Sequence, residues 1–327
     1  FYDIAHILKV KKPEYFFLEN VDNLAKHDGG KTLNIMNNIL INELGYEVKT
    51  VILDAIDFGV PQNRKRIYII GSRNEIVKLE SFEKSHSVFS DVMEQGLPTY
   101  NSEFTERVLE LYKPEQLLGK KFRDRRGGSE NILSWALELR GPLNQNQKEL
   151  MRILLKQRRR KSWAPKIGIK WMDGMPLTLE QIYTFYNDCT IDELKEMLDD
   201  LTGKKYLRFE HPKQQIEENG STFRKPDEKL PKGYNIVTGK LSFELNKIMH
   251  PKGCAPTIVA TEADHIGVID QGKIRKLSQR ECLRLFDFPE DYTLDTLEMK
   301  EIYDLIGNTV VVSVVRYLAE QIFTKNK

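Results

Sequence analysis

Apolar positions follow regular rhythms at the two ends of this chain and lose them in between. Tyr15, Phe16, Phe17 and Leu18 form a run too short for a helix and rich in strand-favouring aromatics, which predicts a strand over 15–18. Before it, residues 4–12 (IAHILKVKK) read as the end of an amphipathic helix, and Pro13 leads into the strand. Leu33, Met36, Leu40 and Leu44 recur at helical spacing over 31–44, and Gly45 supplies a C-terminal stop. Val48, Val51, Ile52 and Leu53 predict a second strand, and the sequence IYIIG from Ile67 predicts a third, buried one. Such helix–strand alternation predicts a parallel or mixed sheet flanked by helices. Near the C-terminus, Ser278 and Glu281 form a capping-box pattern before the helix that carries Leu283 and Leu285, and Phe288-Pro289 ends it. Val311, Val314, Val315, Leu318 and Ile322 share one face of a helix expected over 309–322.

From about 81 to 272 the alternation gives way to helical and irregular stretches. An acidic helix is expected over 190–201, with Leu194, Met197 and Leu198 packed inward, and 210–233 reads as loops because Pro, Gly and charge dominate it. The expected division is therefore 1–80, 81–272 and 273–327. With 327 residues, 40% hydrophobic and 30% charged, the chain is long enough for two domains and apolar enough for a sizeable core. No apolar run approaches the roughly 18 residues of a membrane span. The N-terminus lacks the basic start and small-residue cleavage site of a signal peptide. It also lacks an initiator Met, as a fragment would. Cys189, Cys254 and Cys282 are too far apart for a metal set, which suits a reducing compartment.

Charge adds one local feature. The net charge is only +2, yet residues 120–172 hold fifteen Lys and Arg against four carboxylates, a balance of +11. Trp135, Trp163 and Trp171 fall in the same window. Basic residues interleaved with aromatics suit a phosphate-contacting surface; a basic helix face over core Trp residues is the alternative. In the run Arg158-Arg159-Arg160-Lys161, helix geometry spreads four consecutive side chains around the axis, so they cannot all face a core.

Three other places hold candidate chemistry. Glu19 is expected where the first strand leaves the sheet, the end at which ligands gather in open α/β folds. A carboxylate among apolar residues is either paired, as a salt-bridged or capping Glu, or held as a proton donor. In QNRKR (62–66), Arg64 and Arg66 would share one face of an extended chain, where two guanidiniums could grip a carbonyl or phosphate; a solvated charge run is the alternative. Asn308 stands before the last helix as a possible N-cap, with backbone N–H groups suited to an anionic ligand.

Taken in order, ENV (19–21), QNRKR (62–66), RKLSQRECLRLFDFPEDY (275–292) and GNTVVVSVV (307–315) resemble the motifs of DNA (cytosine-5) methyltransferases of bacterial restriction–modification systems. The similarity covers 1–75 and 250–323. The resemblance implies an α/β, Rossmann-like methyltransferase sheet dependent on S-adenosylmethionine, with a variable target-recognition domain between the two matching parts. It implies that Glu19 holds and protonates the target cytosine at N3, that Arg66 contacts O2, and that Arg64 supports them. Asn20 and Gln62 would hold loops and strand ends, and Asn308, Thr309 and Val310 would help bind the cofactor. Residues 275–292 would position the recognition domain, and Thr257, within Pro256-Thr257-Ile258, would lie in a recognition-domain motif. Double-stranded DNA is the implied partner, with a possible cognate restriction endonuclease, in a bacterial cytoplasm.

One departure matters. The family's nucleophile is a cysteine in a Pro-Cys loop before ENV, and the family's Gly-rich cofactor loop precedes that. Neither is in this sequence, and the three cysteines fall outside the nucleophile motif. Cys282, inside the capping-box helix, reads as a packed thiol. The chain is thus expected to be a C-terminal fragment or one half of a split enzyme, with a sheet incomplete on its N-terminal side and an N-terminal half as partner. A catalytically inactive, sequence-specific DNA-binding protein is the alternative.

Overall fold

The first apolar run becomes strand β1, Tyr15–Val21, preceded by helix α1, Tyr2–Lys11, in the computed structural model. The structure describes residues 1–75, 77–124, 129–218, 221–237 and 243–323. Helix α2, Lys31–Asn38, continues as a π-helical turn, Ile39–Glu43, and Gly45 closes it in the left-handed region at φ +72°. Strands β2, Glu47–Asp54, and β3, Lys65–Ser72, complete a three-stranded sheet of order β1-β3-β2. Both ladders are antiparallel, where the sequence pattern predicted a parallel or mixed sheet. The reason is connection length. Only Ala55–Arg64 separates β2 from β3, and a parallel return needs a crossover of a dozen residues or more. The longer β1–β2 connection carries α2, so these two strands run the same way with β3 reversed between them.

Alternation along the strands sorts the sheet's two faces. Ile69 and Phe16 pack with Leu8, Met36, Leu40 and Tyr46 beneath α1 and α2. Tyr68, Ile70 and Leu53 pack on the other face with Leu283, Phe286, Ile306, Val314 and Leu318. The last two helices, Met299–Gly307 and Val312–Phe323, supply much of this second layer. By length and composition Met299–Phe323 is apolar enough for a membrane span, contrary to the sequence expectation. It is nevertheless broken at 308–311, and Ile302, Ile306, Val314, Leu318 and Ile322 are buried in the core.

The chain divides into two compact units, Phe1–Tyr100 with Ile248–Lys327, and Asn101–Lys247. The breaks fall inward of the expected 81 and 272, so 81–100 and 248–272 belong with the sheet. Four described helices of the second unit open on side-chain caps: Ser102 for Glu103–Leu111, Asn144 for Gln145–Gln157, Thr178 for Leu179–Tyr183 and Thr190 for Ile191–Gly203. Leu150, Met151, Leu154, Leu194, Leu198 and Trp163 are among the residues that form its core. The stretch expected to be loops contains strands. Leu207–Glu210 pairs with Gly233–Ile236, and Lys213–Glu218 pairs with Ser221–Pro226, both antiparallel.

Candidate active site

Glu19 lies inside β1, opposite Tyr68 of β3, while Arg66 stands opposite Val21. Glu19 and Arg66 are thus diagonal neighbours on one face of the ladder, within reach of long side chains. The Arg66 Nε–Glu19 Oε1 distance is 2.8 Å, with the two side chains 12% and 28% exposed. Arg66 Nη1 also donates to the Lys65 carbonyl at 2.8 Å. Glu19 is therefore a paired carboxylate still open to solvent, rather than an isolated carboxyl past the strand end. Tyr68 is buried beside it, and its phenol is pushed up to about 12 by burial and then by the Glu19 charge. A carboxyl and a guanidinium side by side offer hydrogen bonds to two adjacent atoms of one planar ring edge.

Arg64 does not join this pair in a two-guanidinium grip. Its Nη1 donates to the Ile258 carbonyl at 2.8 Å, and its Nη2 donates to the Thr309 carbonyl at 2.8 Å and the Gly307 carbonyl at 3.5 Å. The guanidinium carbon lies 4.9 Å from the centre of the Phe286 ring. Its pKa is lowered to about 10 by burial and then by the charge of Arg66. A buried fork bound to carbonyls of two loops is a clamp. Gln62 works beside it, donating to the Leu285 carbonyl at 2.6 Å and accepting from Ile258 N–H at 3.1 Å. Thr257 is in the same cluster, within the sheet-bearing unit, and its hydroxyl donates to the Asn63 carbonyl at 2.5 Å. Asn20 accepts from the N–H of Val21 at 2.8 Å.

Asn308 does not cap the last helix. It closes the preceding one, and its Nδ2 donates to the Asp304 carbonyl at 2.9 Å. The N–H groups of Asn308, Thr309 and Val312 are bonded to Leu305, Ile306 and Phe286 carbonyls, so the free N–H cluster expected for an anion is largely committed. Gly307 is needed where it stands: a Cβ there would come within 2.0 Å of Ala260 N. Polar side-chain groups remain for a ligand. Asn308 is exposed with Oδ1 unbonded, Thr309 keeps its hydroxyl without a partner, and Ser313 Oγ is buried and unsatisfied, all among the described residues. Val310 lies half-buried between them. This donor set fits a polar cofactor.

In the second unit the three arginines separate. Arg158 is buried, with Nη1 donating to Asn235 Oδ1 at 2.5 Å and to the Ile236 carbonyl at 3.2 Å. Burial and the neighbouring Arg159 lower its pKa to about 10. That corrects the expectation of a phosphate contact at 158: helix geometry spreads the run, and this residue faces inward. Arg159 is ion-paired with Asp173, and its carbonyl accepts from Trp171 Nε1 at 2.9 Å. Arg160 is exposed with no partner among the described residues, and exposed Lys161 lies 5.6 Å from the Trp171 ring centre. Trp135 and Trp163 are core, whereas Trp171 is 46% exposed. Arg125 and Arg126 of the basic window lie outside the described residues.

None of the three cysteines resembles an activated thiol. Cys282 is fully buried, which pushes its thiol far up. Burial, then Glu193 and Asp188, raise Cys189 in the second unit. Cys254 is half-buried, with Sγ 3.9 Å from the Ser87 carbonyl. No cluster of potential metal ligands occurs among the described residues. Sequence reasoning expected the buried strand that carries Tyr68 but missed its place beside Glu19, and it missed the pairing of Arg275 with Glu281. The spacing of Arg275 six residues before the capping-box Glu could have signalled that pairing.

A family model described as C-5 cytosine-specific DNA methylase matches residues 1–324. The Type II methyltransferase M.NlaIV of Neisseria lactamica is 48% identical over 330 residues, spanning 98% of this chain and 76% of the relative. M.NgoBV of Neisseria gonorrhoeae is 48% identical over the same shares of both chains. M.BanI of Aneurinibacillus aneurinilyticus is 32% identical over 352 residues, spanning 100% of this chain and 74% of its own.

Proposed function

We infer the function from one premise: this chain belongs to the C-5 cytosine-specific DNA methylase family. It is a DNA (cytosine-5) methyltransferase with the α/β fold of S-adenosylmethionine-dependent enzymes, and it acts on double-stranded DNA. The observation that carries the site assignment is the Glu19–Arg66 pair at 2.8 Å. Glu19 and Arg66 bind adjacent atoms of a flipped-out cytosine, the carboxyl at N3 and the guanidinium at O2. Glu19 holds a proton at N3 as carbon-6 is attacked, and so acts as the general acid. Tyr68 packs beneath the pair and excludes water. Arg64 positions Gly307–Thr309, and Asn308, Thr309 and Val310 hold the cofactor, which supplies the methyl group. The experiment is tritium transfer from labelled S-adenosylmethionine to duplex DNA, comparing the native protein with Glu19 and Arg66 variants. Variants as active as the parent would remove both residues from the chemistry.

The nucleophile comes from a segment other than the three cysteines here, whose surroundings are those of packed thiols. An N-terminal half docks against β1, whose ladder is on one side only among the described residues, and against α1, which exposes Tyr2, Ile4, Ile7 and Val10. A polypeptide of residues 1–327 alone is expected to incorporate no tritium. Addition of a polypeptide carrying the Gly-rich and Pro-Cys loops is expected to restore incorporation. Transfer by residues 1–327 alone would overturn this part. Continued silence after the addition favours the inactive DNA-binding reading. The relatives are bacterial Type II enzymes, so the proposal extends to the cytoplasm and to a cognate endonuclease. DNA methylated by this enzyme should then resist that nuclease.

The second unit is the target-recognition domain, and its exposed cations Arg160 and Lys161 contact phosphates. Changing both to Gln is expected to flatten the salt dependence of duplex binding by about one unit of slope per lost contact. An unchanged slope would leave them as solvated surface. Arg158→Gln should act differently. It strips buried Asn235 and Ile236 acceptors of a donor and should destabilise the unit by about 1–3 kcal/mol in denaturant titration.

A further inference from the structure

The strands Lys213–Glu218 and Ser221–Pro226 form a ribbon that joins no other sheet among the described residues. A two-stranded hairpin is marginal in water, and open strand edges invite unwanted pairing. One face is anchored to its own unit. Gln214 Nε2 lies 3.1 Å from the Gly168 carbonyl and 3.5 Å from Asp227 Oδ2, and Ile216 on the same face is half-buried. Residues paired across a ladder share a face, as do residues two apart on a strand. The other face therefore carries Gln215, its ladder partner Arg224, and Glu217. All three are exposed, and none of their side chains has a hydrogen bond or ion pair among the described residues.

We propose that this ribbon enters the major groove of duplex DNA and that Gln215, Glu217 and Arg224 read base edges there. The proposal rests on the reading of the second unit as the recognition domain. The groove is about 12 Å wide and admits a two-stranded ribbon. The three side chains are types that discriminate bases there: an amide bonds adenine N6 and N7, a guanidinium bonds guanine O6 and N7, and a carboxylate accepts from cytosine N4. Gln215 and Glu217 are separated by about 7 Å along the strand, close to two base-pair steps of about 3.4 Å. By sequence the two strands hold Lys213, Arg224 and Lys225 against Glu217 and Glu218, a balance of only +1, so the side-chain types and not the net charge carry the proposal. Glu217 also separates base reading from simple backbone tracking. Phosphates would repel a carboxylate on the contact face, whereas a cytosine amino group would donate to it.

The test binds the whole chain to a randomised duplex library and sequences the retained fraction. Parent protein should enrich a motif. Arg224→Ala should relax one position of that motif, with roughly 5- to 100-fold loss of preference for its base, and Gln215→Ala should relax a different one. Overall affinity for random duplex should stay nearly constant. Circular dichroism of each variant should match the parent, since both residues are solvent-exposed. If both variants enrich the parental motif, the ribbon does not read bases and the recognition reading survives. If the parent enriches no motif, the recognition reading falls and the ribbon proposal with it.

Discussion

Glu19→Gln is expected to lower the rate of methyl transfer by roughly 10²–10⁴-fold, the usual contribution of a positioned general acid. The measurement is tritium incorporation by the chain supplied with the nucleophile-bearing segment. The amide keeps the shape of the carboxyl and can still accept from Arg66 Nε, which now lies 2.8 Å from Oε1. It cannot give a proton to N3 of the cytosine. The loss should therefore appear in the chemical step, with duplex affinity unchanged within about two-fold. Stability should also hold, because a part-exposed ion pair contributes only about 0–1 kcal/mol. This combination separates chemistry from structure. A Glu19 that merely neutralised Arg66 would give no large rate change, and a rate loss below a few-fold would return Glu19 to that role.

What the sequence made legible follows from how local each signal is. The helix over 31–44 and the capping box at Ser278 depend on residues within one or two turns, and both stand in the structure, the former ending in a π-turn. Glu19, Arg64 and Arg66 could be named from motif spacing, but their different surroundings could not. Arg64 is buried by Ile258 and Thr309, some two hundred residues distant in the chain, and no local pattern encodes that. Arg158 was illegible for the same reason, since its partners Asn235 and Ile236 come from a remote strand. The ribbon over 213–226 escaped for the opposite reason. KQQIEE and STFRKP have no strong apolar alternation because neither strand buries a full face, so the usual strand signal is missing. The antiparallel sheet was legible in principle, as ten residues between β2 and β3 exclude a crossover.

Arg275→Ala is expected to destabilise the sheet-bearing unit by about 3–5 kcal/mol, the range for breaking a buried ion pair by removing one partner. Arg275 is 1% exposed. Its Nε is 2.9 Å from Asp270 Oδ2, and its Nη2 is 2.7 Å from Glu281 Oε1, with both carboxylates almost fully buried. Nη2 also donates to the Glu94 carbonyl at 2.7 Å. Deleting the guanidinium leaves two buried negative charges facing one another without a cation. Denaturant titration of the whole chain measures the effect. Arg275→Met with Glu281→Gln should recover much of the loss, because it removes one charge while keeping an oxygen that accepts from the Ser278 N–H. A single-variant loss below about 1 kcal/mol would show that water reaches the carboxylates and that the triad is not sealed. The effect should extend to cofactor binding through contiguous contacts. Ser278 caps the helix Gln279–Arg284, and Glu281 Oε2 accepts from the Ser278 N–H at 3.0 Å. The residues that follow supply the Leu285 carbonyl for Gln62, the Phe286 carbonyl for Val312 N–H, and the Phe286 ring against which Arg64 lies. Loosening that helix should free Arg64 from the Thr309 carbonyl and weaken S-adenosylmethionine binding in calorimetry under conditions where the variant remains folded. Full affinity in a folded but destabilised Arg275→Ala would show that the segment 307–310 holds its shape without this support.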